Sequence, residues 1–163
     1  MLKHVLVPLD GSKLAEEAIA SALEVVAPDG KITLVCAVEV PEVPVYGYYP
    51  PVTMPDYEET KDELVPVARH YLEGLASDMT KNGTFTRFEV TMGDPVTVIS
   101  ETAERLNVDA IVMSTHGRSG ISRFLFGSVT NKILEAKVCP VFVVPSKKNV
   151  AHEKPQPAKE HIN

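Results

Sequence analysis

The 163-residue chain has no tryptophan and only two cysteines, Cys36 and Cys139. Two cysteines cannot supply the disulfide framework of a small secreted protein, and their positions in or beside apolar runs predict free structural thiols in a reducing cytoplasm. No apolar run reaches the roughly 18 residues of a membrane-spanning helix. The apolar part of the N-terminus is also too short for a signal peptide. We therefore expect a cytoplasmic protein without a membrane partner.

Positive charge is scarce as well. The chain carries 16 lysines and arginines against 22 aspartates and glutamates, which gives a formal net charge of -6. Proteins that bind nucleic acids usually present a basic face, so this balance argues against a nucleic-acid partner. An anionic ligand would have to be held by local hydrogen-bond donors, since the field of the whole protein does not attract it.

Several sequence motifs of catalysis are absent. There is no P-loop and no G-x-G-x-x-G, and the histidines lack metal-ligand spacing. The pairs Glu16-Glu17 and Glu58-Glu59 are adjacent in helical segments, so their carboxylates do not face one another. Without a P-loop lysine or an evident general base, the sequence does not support fast phosphoryl transfer, and no residue is predicted to be catalytic.

Apolar, β-branched stretches alternate along the chain with stretches of helical periodicity. The predicted strands are residues 3–9, 31–40, 84–92, 109–114 and 140–144, and the predicted helices are 12–27, 58–81, 95–106 and 129–137. This order predicts an α/β fold with a single open, five-stranded parallel sheet and helices on both faces, of Rossmann-like type.

The predicted domain spans residues 1–146, and a disordered tail of 147–163 follows it. A proline- and tyrosine-rich loop insertion interrupts the domain at 41–56. Pro28-Asp29-Gly30 is expected to separate the first helix from the second strand, and Pro66 is expected to kink or split the second helix. The apolar stripe of that helix is predicted to comprise Leu64, Ala68, Tyr71, Leu75 and Met79.

A glycine-containing loop joins the fourth strand to the fourth helix. The strand runs into Met113-Ser114-Thr115-His116-Gly117, and nine residues separate Gly117 from Gly127-Ser128 at the helix start. Glycines let the main chain approach a ligand closely, and a helix start supplies unsatisfied N–H groups, so the loop predicts a phosphate site. Ser128 is expected to cap the helix or to donate its hydroxyl to the ligand.

Simpler interpretations of these residues stay open at this stage. The glycines could serve a plain strand-to-helix connection, and Asp10, after the first strand, could be the N-cap of the first helix or a solvated turn residue. His116 is interpreted as a turn residue, because no nucleophile or second acid is paired with it in the sequence.

The chain resembles the universal stress protein family from Leu6-Val7-Pro8-Leu9-Asp10-Gly11-Ser12 to Cys139-Pro140-Val141-Phe142-Val143-Val144. The nucleotide-binding branch of that family carries G-x-x-G, nine residues and G-[ST], and here Ser114 replaces the leading glycine. The resemblance implies that Pro8 and Asp10 line the adenine-ribose side, and that the main chain of Val38 meets the adenine edge. It further implies ribose contacts from Met113 and Ser114, and phosphate contacts from Gly117, Arg118, Gly127, Ser128 and Val129.

The leading hypothesis is an ATP- or AMP-binding regulatory module of the stress response. One alternative is slow ATP hydrolysis with a divalent metal such as Mg²⁺ held by Asp10. Another is a nucleotide-free dimeric scaffold for protein interactions. A homodimer through strand five (141–144) is also expected, because this apolar strand should lie at a sheet edge that needs covering, and the resemblance implies the same.

Overall fold

The computed structural model describes residues 1–39, 57–115 and 126–145, without the side chains of residues 57–60. The predicted loop at 41–56, the predicted tail, His116, Gly117 and Arg118 lie outside the described residues. The elements are β1 (Leu2–Pro8), α1 (Lys13–Val25), β2 (Val26–Val38), α2 (Tyr57–Lys81), β3 (Phe85–Met92), α3 (Pro95–Leu106), β4 (Ala110–Ser114), α4 (Ser128–Ala136) and β5 (Val141–Val144).

All five strands form one parallel sheet in the order β3-β2-β1-β4-β5. This confirms the predicted fold class and places β5 at an edge. The chain winds outwards from β1 through β2 to β3, then crosses to β4 and winds the other way to β5. The direction therefore reverses between β1 and β4, and ligands of open parallel sheets bind beside such a reversal, beyond the carboxyl ends of the strands.

Two apolar layers enclose the sheet. One packs α1 and α2 against it through residues such as Ala18 and Leu72, and the other packs α3 and α4 through residues such as Ile99 and Ile133. Alternate residues of β1 enter opposite layers, which explains why its run from Val5 to Val7 is fully buried and continuously apolar. Within the described ranges, none of the helices combines the length and apolar character that a membrane span needs.

The boundary between α1 and β2 differs from the prediction. β2 begins at Val26, so Pro28-Asp29-Gly30 lies inside the strand and does not precede it. The pairing steps from Leu2↔Val26 to His4↔Lys31, which leaves a bulge in β2. Gly30 permits this bend, because a Cβ there would lie 2.7 Å from a methyl of Val26 and 3.0 Å from the Leu2 carbonyl oxygen.

Helix α2 also differs from the prediction. It continues through Pro66 as one helix, so the predicted split is wrong. Pro66 is exposed, and the helix is anchored beyond it by Leu72, Ala76 and Met79, which are buried against the sheet. The predicted apolar stripe is correct at Ala68, Tyr71, Leu75 and Met79, which pack on the core. It is wrong at Leu64, which is 41% exposed, and it omits the fully buried Leu72.

Polar contacts connect the strands near their amino ends. The buried His4 ring lies with Nε2 2.9 Å from Thr33 Oγ1. The Asp109 carboxylate accepts hydrogen bonds from the backbone N–H groups of Lys3 and His4 at 2.6 and 2.8 Å.

The surroundings of His4 lower its pKa below the ordinary value of 6.5. Burial is the largest cause, followed by the nearby Lys31 charge, and the Arg87 charge acts in the same direction. The Leu106 carbonyl and the Asp109 charge act against this lowering.

This lowered pKa predicts acid-sensitive stability. The unfolded chain protonates His4 near pH 6.5, whereas the folded chain resists protonation, so the free energy of unfolding is fully maintained above that pH and falls as pH drops through the folded pKa. Denaturant unfolding between about pH 7.5 and about pH 5.5 should show this loss. His4→Gln, which has no titrating group there, should give a flatter profile. Equal profiles for the two proteins would contradict the assignment.

Candidate functional site

A cavity of about 490 Å³ lies beyond the carboxyl ends of β1, β2 and β4, within the usual range for small-molecule sites. It brings together every predicted site residue that falls in the described ranges: Pro8, Asp10, Val38, Met113, Ser114, Gly127, Ser128 and Val129. These residues come from four separate segments of the chain, and the reversal of winding between β1 and β4 is what collects them.

The turn after β1 presents Asp10 to the cavity. The Leu9 N–H donates to the Val35 carbonyl oxygen at 2.8 Å and ends the pairing of β1 with β2. Asp10 Oδ1 then accepts from the Ser12 N–H at 2.9 Å, and Ser12 Oγ accepts from the Ala15 N–H at 3.1 Å. Ser12 is therefore the N-cap of α1, so the interpretation of Asp10 as that cap is wrong, and its carboxylate lies at the cavity wall.

The start of α4 forms the opposite wall. Gly127 is the N-cap and makes no side-chain cap, so the expectation that Ser128 caps the helix is wrong. The first intrahelical hydrogen bond is donated by the Asn131 N–H to the Gly127 carbonyl oxygen at 3.0 Å. The N–H groups of Ser128, Val129 and Thr130 precede it and have no intrahelical acceptor. They lie at the positive end of the helix dipole and line the cavity.

Hydrogen bonds from the end of β4 fix this helix start in place. The Gly127 N–H donates to the Thr115 carbonyl oxygen at 2.6 Å, and the buried Thr130 hydroxyl donates to the Ser114 carbonyl oxygen at 3.1 Å. The Thr115 N–H in turn donates to the Val144 carbonyl oxygen at 2.9 Å. The donors of α4 are thus held at a fixed distance from the sheet.

The end of β2 presents Ala37, which the sequence did not single out. Val38 is paired with β3, and its carbonyl oxygen accepts from the Gly93 N–H at 3.0 Å. Val35 is paired with β1, and successive residues of a parallel strand turn their N–H and C=O groups to alternate neighbours. Ala37 therefore turns both groups toward the side of β1, beyond the point where β1 has ended, and it lines the cavity.

Helix α2 supplies a wall that the sequence did not predict. Leu64, Val67, Ala68 and Tyr71 line the cavity from this side. The Tyr71 hydroxyl donates to Glu16 Oε1 at 3.0 Å. Burial, followed by the neighbouring Glu16 and Asp10 carboxylates, raises the pKa of Tyr71 well above its ordinary value. Periodicity marked Tyr71 only as a core position, because contact between α2 and the first turn of α1 leaves no signal in the sequence.

Within residues 1–39, 57–115 and 126–145, no group of three or more histidine, cysteine, aspartate or glutamate side chains is placed to hold a metal ion. Cys36 and Cys139 are both free thiols. The residues that line the cavity carry a carboxylate at Asp10 and hydroxyl groups at Ser114, Ser128 and Tyr71, beside the main chain of the strand ends and of the helix start.

Comparison with known proteins identifies the family. The model of the universal stress protein family matches residues 1–145. The chain belongs to this family. A similar curated protein, universal stress protein MJ0531 of Methanocaldococcus jannaschii, is 29% identical over 148 residues, which are 88% of this chain and 82% of that protein.

Solved structures show the same fold. Hypothetical protein MJ0577 superposes with a TM-score of 0.74 at 26% identity, over 89% of this universal stress protein and 96% of that chain. An Arabidopsis thaliana family protein with AMP bound has a TM-score of 0.62 at 20% identity, covering 93% of this chain and 97% of its own. A universal stress protein in complex with cAMP has a TM-score of 0.58 at 22% identity, with 88% and 97% covered.

Proposed function

We propose that this universal stress protein binds an adenine nucleotide, ATP or AMP, in the cavity and acts as a nucleotide-responsive regulatory module in the cytoplasm. The observation that carries the proposal is the start of α4, whose N–H groups at Ser128 and Val129 line a cavity at the reversal of the sheet. Such a helix start binds phosphate through its free donors and its dipole. The AMP- and cAMP-bound family structures support the same class of ligand.

The phosphates would lie against α4. Ser128 and Val129 contribute main-chain donors there. Gly127, whose own N–H is bonded to Thr115, lets the main chain come close to the ligand. The Ser128 hydroxyl is not used as a cap and remains available to a phosphate oxygen. Gly117 and Arg118 stay predicted phosphate contacts, the second through a charge-assisted hydrogen bond.

The base would lie at the end of β2. The outward N–H and C=O of Ala37 form one donor and one acceptor side by side, which complements the acceptor N1 and the donor N6 amine of adenine. Guanine carries the reverse pattern at these positions, so the same main chain would reject it. This assigns to Ala37 the main-chain contact that the family resemblance placed at Val38, while Val38 and Pro8 supply apolar surface.

The ribose would lie between these ends. Asp10 offers a carboxylate acceptor to a ribose hydroxyl, and Met113 and Ser114 flank the sugar from β4. Mg²⁺ is usually held by one or two carboxylates together with substrate phosphates, so a single carboxylate at Asp10 fits an ion that arrives with ATP. The proposal is one of binding and does not require turnover.

Thermal unfolding in the presence of nucleotides tests this function. A ligand that binds only the folded state stabilises it by about 2.7 kcal/mol at a hundredfold excess over Kd, so AMP, ADP or ATP should raise the melting temperature. GMP and GTP are the matched controls and should raise it much less. No shift with any adenine nucleotide at millimolar concentration would refute the function, and an equal shift with GTP would refute the role of Ala37. Mass spectrometry of compounds released on denaturation would identify the bound nucleotide.

We also propose a homodimer through β5. This strand is a sheet edge, and its Phe142 is 43% exposed. An apolar edge invites pairing with another strand, and a two-fold axis pairs it with its own copy.

Light scattering at micromolar concentration should therefore give the mass of a dimer. Phe142→Lys should shift the protein to a monomer, because a charge at the pairing edge opposes association. Phe85→Lys is the control, since Phe85 is 52% exposed on β3 at the opposite edge. A monomeric wild type, or equal loss of the dimer in both variants, would contradict the assignment.

A further inference from the structure

The cavity has two walls of opposite character. On the α4 side, main-chain N–H groups gather at the positive end of a helix. On the α2 side, the wall is apolar at Leu64, Val67 and Ala68, and its polar group is the Tyr71 hydroxyl. An anionic group is stabilised at the α4 wall and finds no such stabilisation at the α2 wall, so the two sides of the cavity suit different parts of a ligand.

Tyr71 is held in place by a carboxylate whose two oxygens are both engaged. Glu16 has a side chain only 18% exposed, and its Oε2 lies 2.8 Å from Lys13 Nζ. Its Oε1 accepts the hydrogen bond from the Tyr71 hydroxyl at 3.0 Å. This bond joins the middle of α2 to the first turn of α1 and fixes the tyrosine side chain against the cavity.

The charges around Tyr71 exclude phosphate from this wall. The Glu16 and Asp10 carboxylates both act on the hydroxyl and, together with burial, raise the pKa of Tyr71, so it remains a neutral donor to Glu16. The Asp10 charge, together with the Glu16 charge that its ion pair with Lys13 partly offsets, repels an anionic group at short range. The neutral, largely apolar part of a nucleotide is what this wall accommodates.

We infer that Tyr71, held by its hydrogen bond to Glu16, is a positioning residue for the nucleoside end of the ligand. The inference rests on the proposed nucleotide binding. It adds a second wall that limits the position of the ligand, formed by α1 and α2 together and facing the start of α4. The fixed tyrosine limits how far the base and ribose move toward α2, and so keeps the base within reach of Ala37 while the phosphates remain at α4.

Calorimetric titration with adenosine, AMP and ATP tests this role. Tyr71→Phe and Glu16→Ala each remove the hydrogen bond and should weaken all three ligands by a similar factor, roughly threefold to tenfold. Glu16→Gln keeps an oxygen acceptor for the Tyr71 hydroxyl and should retain most of the affinity. Glu24→Gln, at an exposed position of the same helix, is the control and should bind as the wild type does.

The outcomes separate this inference from the function on which it rests. If the wild type binds AMP and ATP but Tyr71→Phe binds all three ligands equally well, the inference is wrong and the function stands. If Tyr71→Phe weakens ATP and leaves adenosine unchanged, Tyr71 acts on the phosphates and the inference is again wrong. If the wild type binds no adenine compound, both fail. Should Tyr71→Phe not fold, Glu16→Ala against Glu16→Gln decides alone, with equal losses overturning the inference.

Discussion

Replacing Ser128 by proline is expected to weaken AMP and ATP binding by roughly tenfold to a hundredfold, with little change in the stability of the unliganded protein. Ser128 is the first helical residue, so its N–H has no intrahelical acceptor and proline is well tolerated there. Gly127 already has φ -65° and ψ 162°, an extended conformation that suits the residue before a proline. The substitution therefore removes one N–H and the hydroxyl without removing a helical hydrogen bond.

Ser128→Ala is the matched control for this experiment. It removes the hydroxyl and keeps the N–H, so the difference in affinity between the two variants isolates the main-chain donor. We expect the alanine variant to lose much less affinity than the proline variant. If both bind as tightly as the wild type and both remain folded, the helix start does not hold the ligand.

Leu72→Ala should lower the free energy of unfolding by about 2–5 kcal/mol. Leu72 is fully buried where α2 meets the sheet, and truncation leaves a cavity that close-packed neighbours cannot fill completely. Denaturant unfolding without ligand measures the loss as a fall in the transition midpoint.

Leu64→Ala, two turns earlier on the same helix, is the control for Leu72→Ala. Leu64 is 41% exposed, so the same chemical change should cost less than about 1 kcal/mol. Equal losses at the two positions would mean that α2 packs through a different face from the one described.

The sequence was sufficient for the architecture, because parallel strands buried on both faces leave an unmistakable pattern. The run from Val5 to Val7 is apolar without alternation, and so is the run from Ala110 to Met113. The predicted start of the third helix at residue 95 is correct, and the Asp94 carboxylate caps it by accepting from the Thr97 N–H at 2.9 Å. A helix cap of this kind involves only residues close together in the chain, so the sequence predicts it directly.

The parts that the sequence did not predict depend on register or on contacts between distant segments. Whether Ala37 or Val38 turns its peptide groups to the cavity depends on where β1 ends relative to β2, and a shift of one residue reverses the answer. The contact of Tyr71 with Glu16 joins residues 55 positions apart. Pro66 does not break α2, because the packing of the helix beyond it outweighs the loss of one hydrogen bond. Local helix propensity does not include this tertiary effect.

The ties at His4, Thr33 and Asp109 lie at the far side of the sheet from the cavity. These residues are not among those that line the cavity, so a substitution in the turn after β1 or β4 replaces none of them. A scaffold divided in this way is evolvable: mutation can retune recognition at one end while the other continues to specify the same architecture.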